Sequence, residues 1–201
     1  MLLNKYKYIV IEGNIGVGKT SLAKKLSSDL NGHLLLEEFA ENSFLPKFYE
    51  NPVKYAFPLE MSFLAARFQQ LSQTFELQLD RPIISDYHIR KSLIFAQVNL
   101  DWAEIELYNS FFEIISAKIP EPELVIILKK SVKHLQANIS TRGRTFESSI
   151  SEEYLHRIND GYRQLARDFT TSKVLEIETG DLDFVNNLND YQTIIDLISK
   201  H

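Results

Sequence analysis

The chain has no cysteine, which excludes a disulfide framework and any thiolate metal site. Its five histidines, His33, His88, His134, His156 and His201, fall at no metal-ligand spacing. Excess positive charge is missing too: the formal net charge is -5. That argues against an extended nucleic-acid surface, because binding a phosphate polymer usually needs a basic face. No apolar run approaches the ~18 residues of a membrane span, and strand-like sequence starts too early for a signal peptide. A soluble, cytoplasmic protein without a membrane partner is the expectation. Seven glycines and six prolines in 201 residues leave no low-complexity linker, and no repeat is visible. With 44% hydrophobic residues, the length suits one domain over residues 1–201.

What the chain does have is Gly13-Asn14-Ile15-Gly16-Val17-Gly18-Lys19-Thr20, which fits the phosphate-loop pattern G-x-x-x-x-G-K-[ST] without a mismatch. Tyr6 to Glu12 before it is rich in strand-forming residues, and Ser21 to Leu26 after it reads as helix. Strand, loop and helix is the context such a loop needs. Gly13, Gly16 and Gly18 allow backbone N–H groups to approach a polyphosphate closely. The helix N-terminus adds its unpaired donors and dipole. Lys19 is long enough to reach the β- and γ-phosphates, and Thr20 Oγ1 suits Mg²⁺.

Four further strands follow from composition: His33 to Leu36, Ile83 to Asp86, Leu124 to Leu128 and Lys173 to Ile177. Helical patterns alternate with them, at Pro52 to about Leu79, His88 to Asn99, Asp101 to Ile119, Ser131 to Ser140, from Ser151, and Phe184 to Ile198. The expected fold is therefore α/β, a doubly wound parallel sheet of five strands. Ligands of such sheets lie beyond the carboxyl ends of the strands. Glu37 and Glu38 end the second strand and Asp86 ends the third, so these acids should share the edge of the phosphate loop. One of the two glutamates is a catalytic candidate, the alternative being a solvent-exposed helix-start carboxylate. Asp86 suits the Mg²⁺ shell or the reacting hydroxyl.

In the long helix Glu60, Phe63, Leu64, Arg67 and Leu71 share one face. Two opposite charges on an apolar stripe are either a structural ion pair or a polar grip on a ligand. Arg142 and Arg144 flank Gly143 in a polar segment, which reads as a mobile lid over a transferring phosphoryl group or as solvated surface. Asp101 with Glu104 forms a capping-box pattern. The helix after it carries Trp102, Ile105, Leu107, Phe111, Phe112, Ile114 and Ile115, more apolar residues than one stripe needs. A helix-to-helix homodimer or ordinary core burial would account for them.

Together these stretches resemble the deoxyribonucleoside kinase family, in its bacterial deoxyguanosine and deoxyadenosine kinase branch. The resemblance rests on Gly13 to Thr20, Glu37 with Phe44 to Tyr49, Tyr55 to Glu60 through Arg67, Ser85 to His88 with Lys91 and Ile94 to Ala96, and Arg142 to Arg144 with Glu147. It implies a phosphate-loop kinase fold with a helical lid at about 138–150, and transfer of the ATP γ-phosphoryl group to the 5′-hydroxyl of a deoxynucleoside. By position, Glu37 is the proton acceptor, with Glu38 the second choice. Tyr49 and Glu147 hold the sugar 3′-hydroxyl, Glu60 and Arg67 read the base, and Asp86 serves the metal and the 5′ end, with Tyr87 beside it on the substrate. Arg142 and Arg144 meet the transferring phosphate, and Asp181 to Phe184, with Asp183 and Phe184 foremost, meets the adenine.

The chain departs from the wider family at three positions. Tyr87 and Asn138 stand where many members have arginine, which leaves more of the charge to Lys19, Arg142 and Arg144. Glu60 replaces a common glutamine. A carboxylate accepts hydrogen bonds only and so suits guanine's N1–H and N2 amino donors, which favours a purine, guanine slightly before adenine, whose N6 amino group would also satisfy Glu60. Two other readings share the architecture. A nucleoside monophosphate kinase needs extra basic residues between Glu37 and Arg67, and that stretch is poor in them. A nucleotide-binding regulatory module would bind without transfer.

Overall fold

A computed structural model of the chain describes residues 5–38, 42–147 and 149–201. Five strands, β1 (Tyr8–Gly13), β2 (His33–Leu35), β3 (Ile83–Ser85), β4 (Leu124–Lys129) and β5 (Lys173–Glu178), form one sheet of order β2-β3-β1-β4-β5. Every pairing is parallel. The helices are α1 (Lys19–Asp29), α2 (Leu45–Glu50), α3 (Pro52–Glu76), α4 (Lys91–Asn99), α5 (Trp102–Ser116), α6 (Val132–Arg142), α7 (Glu152–Asp168) and α8 (Leu188–Lys200).

β1 is central and wholly buried, and the period of two along it sorts its side chains between two layers. Ile9 and Ile11 pack with Leu22 and Leu26 of α1, Leu135 and Ile139 of α6, and Ile194 and Ile198 of α8. Tyr8 and Val10 pack on the other face with Leu64 and Leu71 of α3 and Tyr108 and Phe112 of α5. Val125 and Ile127 of β4 continue that second layer onto Ile158 and Leu165 of α7. Helices on both faces make this the doubly wound sheet expected from the strand and helix pattern.

Local chemistry sets the helix ends. Asn51 caps α3 by accepting from Lys54 N at 3.2 Å, with Pro52 at the first helical position where its missing N–H costs nothing. Asp101 and Glu104 form the reciprocal capping box. Asn31, at φ 49°, ends the turn after α1. The observed bounds differ from the sequence reading at several elements; α3 and α5 each end three residues earlier than expected, at Glu76 and Ser116. α2 has no counterpart in that reading, because six residues carry too little periodicity. α4 begins at Lys91 rather than His88, and α8 at Leu188 rather than Phe184, since residues 183–187 form turns closed on Asp183 and capped by Asn187. α6 runs on to Arg142 and stops at Gly143, φ 69°. The first third of the expected lid is thus helix, followed by a 3₁₀ turn over Thr145–Glu147; Ser148 within it lies outside the described residues. No helix among the described residues is long and apolar enough to cross a membrane.

Candidate active site

The loop between β1 and α1 takes its shape from close neighbours as much as from any ligand. Gly18 caps α1 at φ 107°, and a Cβ there would lie 2.7 Å from Phe184 Cζ. At Gly13, φ 138°, it would lie 2.5 Å from the Leu128 carbonyl oxygen of β4. Both positions demand glycine on two counts. Asn14 is nearly fully buried; its amide donates to Leu155 O at 2.8 Å and Asn159 Oδ1 at 2.7 Å. Its side chain therefore anchors the loop to α7. Asn138 donates to Gly16 O at 2.8 Å, so the residue standing in place of a lid arginine ties α6 to the loop.

Parallel pairing of β2 with β3, Leu35 against Ser85, brings the acids of the two strand ends together. Asp86 accepts the Glu37 N–H at 2.8 Å through Oδ1 and the Thr20 hydroxyl through Oδ2. Thr20 and Asp86 thus offer two hard oxygen ligands on adjacent atoms, a fit for Mg²⁺. No three acidic or histidine ligands gather among the described residues, so phosphates and water must complete such a shell.

Glu37 sits in a cage of cations. Its Oε1 accepts from Arg67 Nε at 2.8 Å and pairs with Nη2 at 2.7 Å, and its Oε2 pairs with Lys91 Nζ at 2.6 Å. Burial alone would raise its pKa, but Lys91 and Arg67 together hold it well below the usual carboxylate range. Arg67 also donates to Ser92 Oγ at 2.7 Å. The two charges on the α3 stripe are therefore not each other's partners: Arg67 serves Glu37, and Glu60 accepts from Asn99 Nδ2 at 2.7 Å. Burial pushes Glu60 up to about 7 against the pull of Arg67 and Asn99; its ionised form is the acceptor-only group expected from the sequence. Lys19 bridges the loop carbonyls of Gly13 and Asn14 at 2.9 and 3.0 Å.

Glu147 receives both Arg142 and Arg144, joining the 3₁₀ turn to the end of α6. Phe146 beside it stacks on Tyr49 of α2 with ring centroids 5.9 Å apart. Tyr87 is placed elsewhere than expected. Its ring is fully buried in the core with Leu64 and Tyr108, and its hydroxyl donates to Gln70. An apolar ring directly after the β3 acid packs inward where an arginine would be driven toward the cleft. Glu38 is exposed and accepts from Gln70 at 3.3 Å.

Two adjoining cavities result. An outer cleft of about 880 Å³ runs from the phosphate loop to the 180–186 loop, where Asp183 is exposed and Phe184 closes against Gly18. An inner cavity of about 130 Å³ is lined by Tyr49, Glu60, Phe63, Arg67, Phe95 and Glu147 among others. Seven residues line both: Gly16, Lys19, Thr20, Glu37, Asp86, Arg142 and Arg144. Sequence reasoning singled out all seven. It knew Lys91 only through resemblance and missed Asn99 and Tyr154, which also line the inner cavity. The signal for Lys91 was weak: one buried lysine ahead of an apolar run.

The family model described as deoxynucleoside kinase matches residues 9–201. The chain is 36% identical over 198 residues to a deoxyguanosine kinase of Bacillus subtilis (strain 168), covering 96% of each. To a deoxyadenosine/deoxycytidine kinase of the same organism it is 29% identical over 202 residues, 98% of this chain and 93% of the relative. A solved deoxyadenosine kinase from M. mycoides, with its products dCMP and dCDP bound, superposes with a TM-score of 0.83 at 26% identity, covering 96% of this chain and all of that one. Family match, fold and a phosphate loop opening onto a second buried cavity agree: the chain belongs to the deoxynucleoside kinase family.

Proposed function

We propose that the chain transfers the γ-phosphoryl group of Mg²⁺-bound ATP to the 5′-hydroxyl of a purine deoxynucleoside, in cytoplasmic nucleotide salvage. The observation that carries this reading is the pair of cavities with seven shared residues. A donor tail on the phosphate loop and an acceptor in the inner cavity then meet between Lys19, Glu37, Asp86 and the two lid arginines. Phosphoryl transfer asks for alignment and charge neutralisation more than covalent chemistry.

Each residue has a task in that geometry. The loop N–H groups and Lys19 hold the β- and γ-phosphates, and Asp183 and Phe184 border the adenine. Thr20 and Asp86 hold the metal, which neutralises phosphate charge when bound. Glu37 takes the hydroxyl proton. Its low basicity suits a loose transition state, in which the acceptor oxygen loses its proton late. Arg67 belongs with Glu37 at the 5′ end rather than at the base, given their two-point contact. Arg142 and Arg144 are delivered to the transferring group when Glu147 turns to the sugar hydroxyl beside Tyr49. Glu60 meets the base, which favours purines; the relatives' names include deoxyguanosine, deoxyadenosine and deoxycytidine.

Labelled ATP with the four deoxynucleosides and their monophosphates tests the reading. Turnover should appear with deoxyguanosine or deoxyadenosine and not with monophosphates. Acceptance of monophosphates alone would make this a nucleoside monophosphate kinase, and tight ATP binding with no product would make it a regulatory module.

The homodimer is a part of the same proposal. Leu107, Phe111 and Ile114, at spacings of four and three on α5, are 50%, 43% and 65% exposed, and such a stripe is costly to leave in water. A second copy of α5 is its natural cover. Light scattering after gel filtration should give twice the monomer mass, and Ile114→Glu should give the monomer. A monomeric wild type would remove the dimer from the reading.

A further inference from the structure

Among the described residues Glu60 is the one acid lining the inner cavity with an atom left over. The carboxyl is 1% exposed, Oε1 is taken by Asn99 at 2.7 Å, and Oε2 is buried with no hydrogen-bond partner among the described residues. A buried oxygen in that state is rare in a settled core and is normal where a ligand supplies the partner. Asn99 is the last residue of α4 and lines the same cavity. Its amide nitrogen faces Oε1, so that oxygen is an acceptor, and any proton the carboxyl carries is on Oε2.

We propose that Asn99 is a specificity-determining residue: by occupying Oε1 it leaves Oε2 as the single atom with which Glu60 meets a purine, accepting from guanine N1–H when ionised and donating to adenine N1 when protonated. The inference rests on the deoxynucleoside reading above and goes beyond it by making guanine over adenine a function of one proton.

The surroundings suit such a device. The charges that act on Glu60 are Arg67 on its own helix, Lys91 on α4 and Glu37 after β2, and Arg142, Arg144 and Glu147 line the same cavity. Hydroxyls face it from α2 (Tyr49), α5 (Tyr108) and α7 (Tyr154), and burial keeps all three tyrosines neutral far into the alkaline range. Arg67 and Lys91 are both spent on Glu37. Burial has brought Glu60 itself to about 7. The Asn99 hydrogen bond pulls the other way, toward the ionised form.

The test is kcat/KM for deoxyguanosine and for deoxyadenosine against pH, in wild type, Asn99→Ala and Glu60→Gln. With guanine needing the carboxylate and adenine the acid, the guanine-to-adenine ratio follows the ratio of the two forms. It should climb by up to about tenfold per pH unit between about pH 6 and 8. In Glu60→Gln the ratio should be flat. In Asn99→Ala the limb of each profile should move to higher pH, so that adenine gains on guanine at any fixed pH. A residue that merely packs would lower both values together and move neither limb. A wild-type ratio that is flat across this range overturns the proposal, as does an Asn99→Ala profile with unmoved limbs. Should Asn99→Ala fail to fold, wild type and Glu60→Gln still decide. Absence of turnover on every deoxynucleoside strikes the kinase reading itself, whereas turnover with a flat ratio strikes this inference alone.

Discussion

Glu37→Gln is expected to lose on the order of 10²-fold or more in kcat, the scale of removing a general base. Glutamine keeps the size of the side chain and discards its charge, so Arg67 and Lys91, which converge on the two oxygens at 2.6 to 2.8 Å, face a neutral amide. Breaking one side of a buried ion pair costs about 3 kcal/mol or more, so denaturation at neutral pH should show a matching loss of stability. The pH dependence of that loss has a definite sign. Glu37 has a folded pKa held below its ordinary value by Lys91 and Arg67. Its contribution is therefore present above the unfolded value near 4.5 and fades as the pH falls below it. The stability gap between wild type and variant should narrow in acid. Near-normal kcat in the variant would transfer the proton-accepting role to Glu38 or Asp86.

Lys19→Met should lose about 10²- to 10³-fold in kcat/KM for ATP, the scale of one preorganised charge aimed at a reacting group. Here stability is the control that separates chemistry from folding. Burial, aided by Lys91, pushes the Lys19 ammonium down to about 8, so this charge is held at a cost that methionine escapes. The variant should be at least as stable as wild type. The same shift sets an alkaline limit on the wild-type enzyme. As pH rises through about 8 the free enzyme should lose the charge, and kcat/KM for ATP should fall about tenfold per unit beyond it. The limb in kcat should lie higher, because bound phosphates favour the ammonium. A flat profile over that range, or a variant that keeps most of the wild-type kcat/KM, would take Lys19 out of the phosphate site.

Much of this protein is written in local pattern. The residues from Tyr6 to Leu26 announce strand, phosphate loop and helix in order. The run Leu124 to Leu128 has the unbroken apolar character of a strand covered on both faces, and β4 is buried throughout except at Lys129. Strand-end acids and the alternation of the two periodicities give the sheet edge on which ligands gather, because a parallel sheet with helical crossovers has all its carboxyl ends on one side. For these features the deciding interactions lie within a few residues along the chain, so sequence by itself determined the fold class and the phosphate loop; Glu37 over Glu38 and the two arginines came from the family resemblance.

Partnership across the fold was a different matter. Glu60 and Arg67 share a helix face, yet Arg67 takes Glu37, 30 residues away, and Lys91 joins it from 54 residues away. Glu60 turns instead to Asn99 at a distance of 39 residues. Tyr87, one residue after a site acid, belongs to the core. Such choices depend on which helices the sheet order sets side by side and on how completely each group loses water. Spacing along one element carries neither quantity; only the packed tertiary structure decided which charge neutralises which, and which carboxyl oxygen has no partner among the described residues.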